Sequence, residues 1–430
     1  MHVFLSFYGS RGDVQPGVCL ALELVSRGHR VTLAVPPNYL GFARSLGIDA
    51  RGLGMDSEKH LRQGRTRAAL DTRNPIRKLQ LAQAQLREGS AAFDAGVIAT
   101  VTQAHAEQPI DIIISGPLGQ DRVYALAEHL GTAMATVRFC AMSENGVIGA
   151  VPTTRALPAE VNRRSWRLAE ETTWLAVRGS ENRFRARLGL APERTRLPVR
   201  LRERGTTQIQ AYDEALFPGL AQEWGPTRPL VGFLDLPAHT RSDLADDTGG
   251  DTDLMRWIDA GDPPVFISFG SVPVPDSARV FDAIVAASAS HGVRVVFGTG
   301  TRPVGVDRDH SQIWVARRVD HSVVLPRCRA IVHHGGAGTT AAGLRAGLPT
   351  MVCALAADQL YWGAQIVRLG LGTRARLSAL GPDGLTAGLG TLLAPTTVAA
   401  AAAIRASLID SATAVANAAN AIESAAARRS

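Results

Sequence analysis

The residues best suited to chemistry lie in one short run, Ala330-Ile331-Val332-His333-His334-Gly335-Gly336-Ala337-Gly338-Thr339-Thr340. An apolar strand leads into a turn of small residues. Thr339-Thr340-Ala341-Ala342-Gly343-Leu344-Arg345-Ala346 then reads as a helix stopped by Gly347 and Pro349. The free N–H groups and positive dipole end of such a helix attract an anion. Glycines let the anion approach the backbone, and an imidazole adds a donor. The fitting ligand is a phosphate or diphosphate. A tight turn would explain the glycines alone, but not two adjacent histidines.

Two further groups stand at the ends of expected strands. Thr350-Met351-Val352-Cys353-Ala354-Leu355 reads as a strand that runs into Asp358 and Gln359. Open α/β sheets bind ligands at that end. Near the N-terminus, Val3 to Phe7 is an apolar strand followed by Tyr8-Gly9-Ser10-Arg11-Gly12-Asp13-Val14-Gln15-Pro16. Pro16 sits well at the first position of a helix, and Asp13 is placed to cap it. The turn is not G-x-G-x-x-G, so a dinucleotide dehydrogenase is poorly supported. No histidine lies between His2 and His29, which excludes a histidine base in this loop.

The block from Val332 to Gly372, including Asp358-Gln359-Leu360-Tyr361-Trp362-Gly363, resembles the donor-site signature of nucleotide-sugar glycosyltransferases of the two-Rossmann-domain (GT-B) type. It is most similar to the branch of sterol glucosyltransferases and glycosyltransferases of glycopeptide and macrolide biosynthesis. Gly9 to Pro16 resembles the N-terminal signature of the same branch. The resemblance implies that Asp13 is the general base and that Ser10 and Arg11 lie near the donor diphosphate. It implies that His333, Gly335, Gly336, Ala337, Gly338, Thr339 and Ser271 contact that diphosphate, while His334 packs. Asp358 and Gln359 would bond sugar hydroxyls, and Val319 would meet the nucleobase. Two positions depart from the pattern. Relatives often carry glycine before the sugar-binding aspartate, where this chain has Ala356-Ala357, and Asp320 replaces their usual proline.

The implied reaction is an inverting transfer of a hexosyl or deoxyhexosyl group from a UDP- or dTDP-sugar. The acceptor would be a hydroxyl on a hydrophobic molecule: a sterol, a lipid, or a polyketide or peptide natural product. The nucleotide sugar is a co-substrate, and no cofactor is expected. Nor is a metal, because His333 and His334 are adjacent and no H-x-x-x-H or C-x-x-C pattern completes a site. A catalytically silent nucleotide-sugar-binding partner protein and a GT-B nucleotide-sugar epimerase are the alternatives. The presence of both Asp13 and Asp358 argues against the first, and the resemblance around Asp13 against the second.

These sites need elements to hold them. Val3 to Phe7, the helix after Pro16, and Arg30 to Val35 make a βαβ unit. Asp111 to Ser115 and Thr132 to Phe139 read as further strands of the same domain, with helix over about Gly41 to Ala106. Residues 150–210 are arginine-rich, with Trp166 and Trp174, and read as amphipathic helices; a weak membrane-surface contact is the sharper reading. Pro, Gly and Asp gather from Pro218 to Pro264, and Leu230-Val231-Gly232-Phe233 reads as the start of a second domain. Pro264 to Ser271, Arg294 to Gly298 and Gln312 to Val315 alternate with helices, again βαβ. The expected organisation is α/β, with two Rossmann-like domains facing across a cleft. Residues 1–217 form an acceptor domain, 218–263 a linker and the start of the second domain, 264–396 a donor domain, and 397–430 a helical tail packing back on the first.

Composition bounds the rest. A chain of 430 residues with 46% hydrophobic content has ample core. It has no apolar run of about 18 residues and no basic leader at Met1, which points to the cytoplasm, at most peripheral at the membrane. Cys19, Cys140, Cys328 and Cys353 form no C-x-x-C pair and read as buried thiols of a reducing compartment. The net charge of +7 is almost all arginine, since Lys59 and Lys78 are the two lysines. Without aromatic interleaving or a nucleic-acid motif, that charge suits anionic donors rather than nucleic acid.

Overall fold

The structure, a computed structural model, describes residues 1–57, 75–237, 240–241, 252–270, 277–299, 311–317 and 319–428. Strands β1 (His2–Ser6), β2 (Arg30–Val35), β3 (Asp49–Gly52), β4 (Ile112–Ser115), β5 (Ala133–Arg138) and β6 (Thr207–Gln210) form one parallel sheet. Its order is β3-β2-β1-β4-β5-β6. Strands β7 (Val265–Ser268), β8 (Val295–Gly298), β9 (Ile313–Ala316), β10 (Ala330–His333), β11 (Thr350–Ala354) and β12 (Gly372–Arg376) form the second, in the order β12-β11-β10-β7-β8-β9. Read from its other edge, the second sheet repeats the first. The expected pair of Rossmann-like domains is present. In each sheet the winding reverses beside the first strand, between β1 and β4 and between β7 and β10. A doubly wound sheet binds ligands at that reversal.

The central strands are apolar because helices cover both faces. All five residues of β1 are buried: Val3 and Leu5 enter one apolar cluster, and Phe4 enters the opposite one. Three strands escape the sequence reading: β3, β6 and β12. All three are sheet edges. Their residues (Asp-Ala-Arg-Gly, Thr-Gln-Ile-Gln and Gly-Thr-Arg-Ala-Arg) are polar, as edge strands tend to be. The stretch expected to be helical from Gly41 therefore contains a strand before the long helix Pro75–Glu107.

The connector also corrects an expectation. Leu230 bridges to Gln210 in parallel, and Val231 N–H donates to the Gln210 carbonyl at 3.0 Å. Leu230 to Phe233 thus continues the edge of the first sheet rather than starting the second domain. Residues 242–251 of the acidic linker lie outside the described residues.

The domains are joined by an apolar cluster that mixes Trp166, Tyr212, Phe217 and Phe233 with Leu344, Tyr361 and Trp362. Trp362 is fully buried, its ring 5.7 Å from Phe217 and 5.6 Å from Phe233. Burying such a side chain stabilises by about 2–3 kcal/mol, so the contact resists opening. The last helix, Ser411–Ala427, packs Ala414, Ala418 and Ile422 into the first-domain cluster. Glu423 on it pairs with Arg27 and His29, at 3.0 and 2.9 Å.

In the arginine-rich helix Ala159–Arg187 both tryptophans point inward. Trp166 Nε1 donates to the Ile148 carbonyl at 2.8 Å, and Trp174 is buried. Among the described residues no single helix is long and apolar enough to cross a membrane. All four cysteines are buried free thiols.

Candidate functional site

The turn after β1 is shaped by Asp13. Its Oδ2 accepts from the Ser10 N–H at 2.7 Å and from Ser10 Oγ at 2.9 Å, a capping box at the start of the helix Arg11–Ser26. Among the described residues no hydrogen bond ends on Oδ1. Gly9 makes the turn at φ 133°, and a side chain there would collide with the Asp13 carboxylate. Burial raises the Asp13 pKa, and the two bonds from Ser10 only partly oppose it. The carboxylate therefore both caps a helix and keeps one oxygen for another proton.

The histidine turn follows β10. The first amide of its helix, Ala337–Arg345, to bond internally is Thr340, to the Gly336 carbonyl at 2.9 Å. The amides of Ala337, Gly338 and Thr339 are left at the helix end, and Gly338 is exposed. Gly335 holds φ 92°, and a Cβ there would stand 2.6 Å from Val352 Cγ1 and 3.1 Å from Gln359 Cβ. Glycine at 335 thus lets the histidine turn and the Asp358 helix lie side by side.

The two histidines differ. His333, expected at the diphosphate, is fully buried, and its Nδ1 accepts from the Gly335 N–H at 2.9 Å. Burial holds its pKa well below the ordinary value, so the ring is neutral and Nε2 carries the proton. His334, expected to pack, is partly exposed and borders both turns of the second domain. A Cβ on Gly270 would stand 3.1 Å from its Cε1, and one on Gly336 2.6 Å from its Nε2. Burial and then His321 push His334 down to about 4. His321 is the residue the sequence reading passed over. It completes a cluster of three neutral histidines under the cleft, its own pKa lowered by burial and by Arg11 of the first domain.

Asp358 begins the helix Asp358–Arg368 after β11. Its pKa is pushed up to about 6, first by burial and then by the charge of Asp13. The charge of Asp13, in the first domain, is thus felt at Asp358 in the second. Gln359 is half committed: its Oε1 accepts from the Leu355 N–H at 2.8 Å, and its amide nitrogen remains a donor. Ala357, at the point where relatives carry glycine, is the one non-glycine residue with positive φ among those described, at φ 54° and ψ −136°. A Cβ in that region costs about 1–2 kcal/mol. Ala357→Gly should therefore raise the thermal midpoint despite the added freedom of the unfolded chain. A lower midpoint in calorimetry would mean that the backbone there is unstrained.

Val319 is partly buried in the apolar cluster beneath β9, and Asp320 caps the short helix after it by accepting from the Ser322 N–H at 2.8 Å. An N-capping aspartate thus stands where the resembled family pattern has proline. Ser271 lies outside the described residues. Ser10, Arg11 and Asp13 lie on one side of the cleft, and Ala337 of the histidine turn packs against the first-domain cluster. The histidine turn therefore reaches the first domain. Among the described residues no group of His, Cys, Asp and Glu could hold a metal ion.

Comparison with known proteins agrees with this geometry. Residues 3–106 match the glycosyltransferase family 28 N-terminal domain, and residues 291–422 the erythromycin biosynthesis protein CIII-like C-terminal domain. An uncharacterized glycosyltransferase of Mycobacterium bovis is 38% identical over 429 residues, covering 100% of both chains. A sterol 3-beta-glucosyltransferase of Arabidopsis thaliana is 28% identical over 86% of this chain and 57% of its own. The crystal structure of glycosyltransferase VinC in complex with dTDP superposes with a TM-score of 0.62 at 19% identity, covering 100% of both chains. With two like-wound sheets, facing functional turns and a full-length relative, the chain belongs to the GT-B glycosyltransferases, in the branch of the sterol and antibiotic glycosyltransferases.

Proposed function

We propose that the protein transfers a hexosyl or deoxyhexosyl group from a UDP- or dTDP-sugar to a hydroxyl of a hydrophobic small molecule, with inversion. The observation that carries this reading is the seating of the histidine turn, an open helix N-terminus, against the first domain, whose own β1 turn presents Asp13 with one carboxylate oxygen unbonded. Asp13 would take the acceptor proton. The amides of Ala337 to Thr339, with Gly335 and Gly336 leaving room, would stabilise the departing diphosphate. Arg11 and Ser10 would face it from the other side. We assign the histidine contact to His334 rather than His333, because His334 alone reaches the open side of the turn. Asp358 and the free amide of Gln359 would hold sugar hydroxyls, and the Val319 segment the base.

A base opposite the leaving group favours direct displacement, hence inversion. The dTDP bound by VinC supports a thymidine donor, and the sterol 3-beta-glucosyltransferase relative supports transfer of a glucosyl group to a sterol. The acceptor class rests on the cleft rim. Leu118, Met142 and Leu355 follow β4, β5 and β11 and are 50%, 39% and 42% exposed. Three exposed apolar side chains in the loops after strand C-termini favour an apolar guest. A weak contact with an anionic membrane surface has thinner support. Val161, Leu168 and Leu175 form an outward stripe on their helix, but neighbouring arginines are paired with glutamates: Arg163 with Glu223 and Arg167 with Glu144.

The test is calorimetric titration with UDP and dTDP, followed by assay of nucleoside diphosphate release with and without a sterol or macrolide acceptor. Binding of one nucleotide, with release that requires acceptor, is expected. Release without acceptor at the same rate would favour hydrolysis or epimerisation. His334→Ala should weaken nucleotide binding at least about tenfold, the size of one charge-assisted hydrogen bond. Unchanged affinity would remove His334 from the diphosphate.

A further inference from the structure

Asp235 lies on the connector just after the chain leaves the first sheet, and bonds from three parts of the protein meet on its carboxylate. Oδ1 accepts from Gln15 Nε2 at 3.0 Å and from the Leu236 N–H at 2.8 Å. Oδ2 accepts from Arg241 at 2.8 Å and stands 3.6 Å from Arg345 NH1. Gln15 sits two residues after Asp13 in the same helix. Arg345 is the last residue of the helix that begins at the histidine turn, and its NH2 also donates to the Phe233 carbonyl at 2.5 Å. One carboxylate therefore ties both functional helices to the connector.

The arrangement dictates which way the Gln15 amide points. A carboxylate can only accept, so Gln15 must turn Nε2 towards Asp235. Its Oε1 then faces Arg11, whose Nε donates to it at 3.3 Å. The reversed amide would set oxygen against the carboxylate and nitrogen against the guanidinium, losing both bonds. Arg11 is further steadied over the Phe42 ring, with its guanidinium carbon 4.9 Å from the centroid. A chain of directed contacts thus runs from Arg345 through Asp235 and Gln15 to Arg11. An arginine held in place before the anion arrives loses less freedom on binding than one that is loose.

We propose that Asp235 is a positioning residue for the donor site. Through Gln15 it aims Arg11 at the nucleoside diphosphate, and through Arg345 it fixes the histidine-turn helix against the Asp13 helix. This rests on the donor site described under Proposed function.

The relay is tested by titrating UDP and dTDP into the wild-type protein, Gln15→Met, Arg11→Met and the double variant, with thermal midpoints of the unliganded proteins alongside. Methionine keeps the length of Gln15, removes both amide bonds and leaves Asp235 its arginines. Gln15→Met should weaken the better-bound nucleotide about tenfold, and Arg11→Met at least as much. The double variant should be no weaker than Arg11→Met alone, because Gln15 acts through Arg11. The midpoint of Gln15→Met should stay within about 2 °C of wild type, since the Arg11–Gln15 pair is exposed and the half-buried Gln15–Asp235 bond is a single hydrogen bond in a chain of this size. Full affinity in Gln15→Met or Arg11→Met, or additive losses in the double variant, overturns the relay. If the wild-type protein binds neither nucleotide, the donor site itself is at fault, and the relay falls with it.

Discussion

Asp13→Asn should lower turnover by about 10³-fold, within the range a general base contributes, while leaving nucleotide binding nearly intact. The substitution separates the helix-capping role of Asp13 from its proposed role as base. Asparagine keeps a carbonyl oxygen for the Ser10 N–H, so the capping box survives in weakened form, at a stability cost of about 0.5–1 kcal/mol. What it loses is the capacity to hold a proton. Because burial raises the Asp13 pKa, the wild-type rate should climb with pH through a value above the ordinary carboxylate pKa of about 3.9. Below that point the carboxyl is protonated and the base is lost. In Asp13→Asn that acid limb should disappear together with the rate. Turnover near wild type, measured as acceptor-dependent nucleoside diphosphate release, would take the base role away from Asp13.

Much of this site was legible because its parts are local. A strand, a turn of small residues and a helix start can be read from Ala330 to Thr340, since backbone amides at a helix N-terminus need no distant partner. Asp358 and Gln359 were legible for the same reason, standing where a strand ends. The parts that escaped depend on separated residues. His333 and His334 are neighbours in sequence, yet only packing against Gly270, Gly336 and the strand interior decides which ring meets the cleft. Edge strands β3 and β12 lack apolar alternation because they are paired on one side only, and β6, Thr-Gln-Ile-Gln, is bordered on its outer side only by the connector. Gln15, Asp235 and Arg345 stand far apart in the chain, and no local pattern marks them as one network. Ala357 shows the converse: the sequence flags a missing glycine, and the structure gives the reason in its positive φ.

Asp358→Asn should divide function from stability. In the empty protein this carboxylate is destabilising, with its pKa raised from 3.8 to about 6 by burial and by Asp13. The sign follows from proton binding. Between those values the folded protein holds a proton that the unfolded chain has shed, so folded stability falls as pH rises through the window, and the whole penalty stands above pH 6. A shift of this size corresponds to about 3 kcal/mol, which partial exposure reduces to roughly 1. An asparagine side chain at this position carries no charge, so the variant should melt about 1 °C higher than wild type at pH 8 and level with it near pH 4. Activity should move the other way. Loss of a charged partner for sugar hydroxyls should lower kcat/KM about 10²-fold, with UDP or dTDP affinity unchanged because the nucleotide lies elsewhere. A variant no more stable at pH 8 would deny the burial and repulsion, and full activity would deny the sugar contact. The two carboxylates are coupled, so Asp13→Asn should itself flatten the pH dependence of melting by lowering the Asp358 pKa. That coupling links the predictions: two acids that feel each other's charge make the empty protein less stable, and a sugar hydroxyl donating to Asp358, as proposed, would relieve part of the penalty on binding.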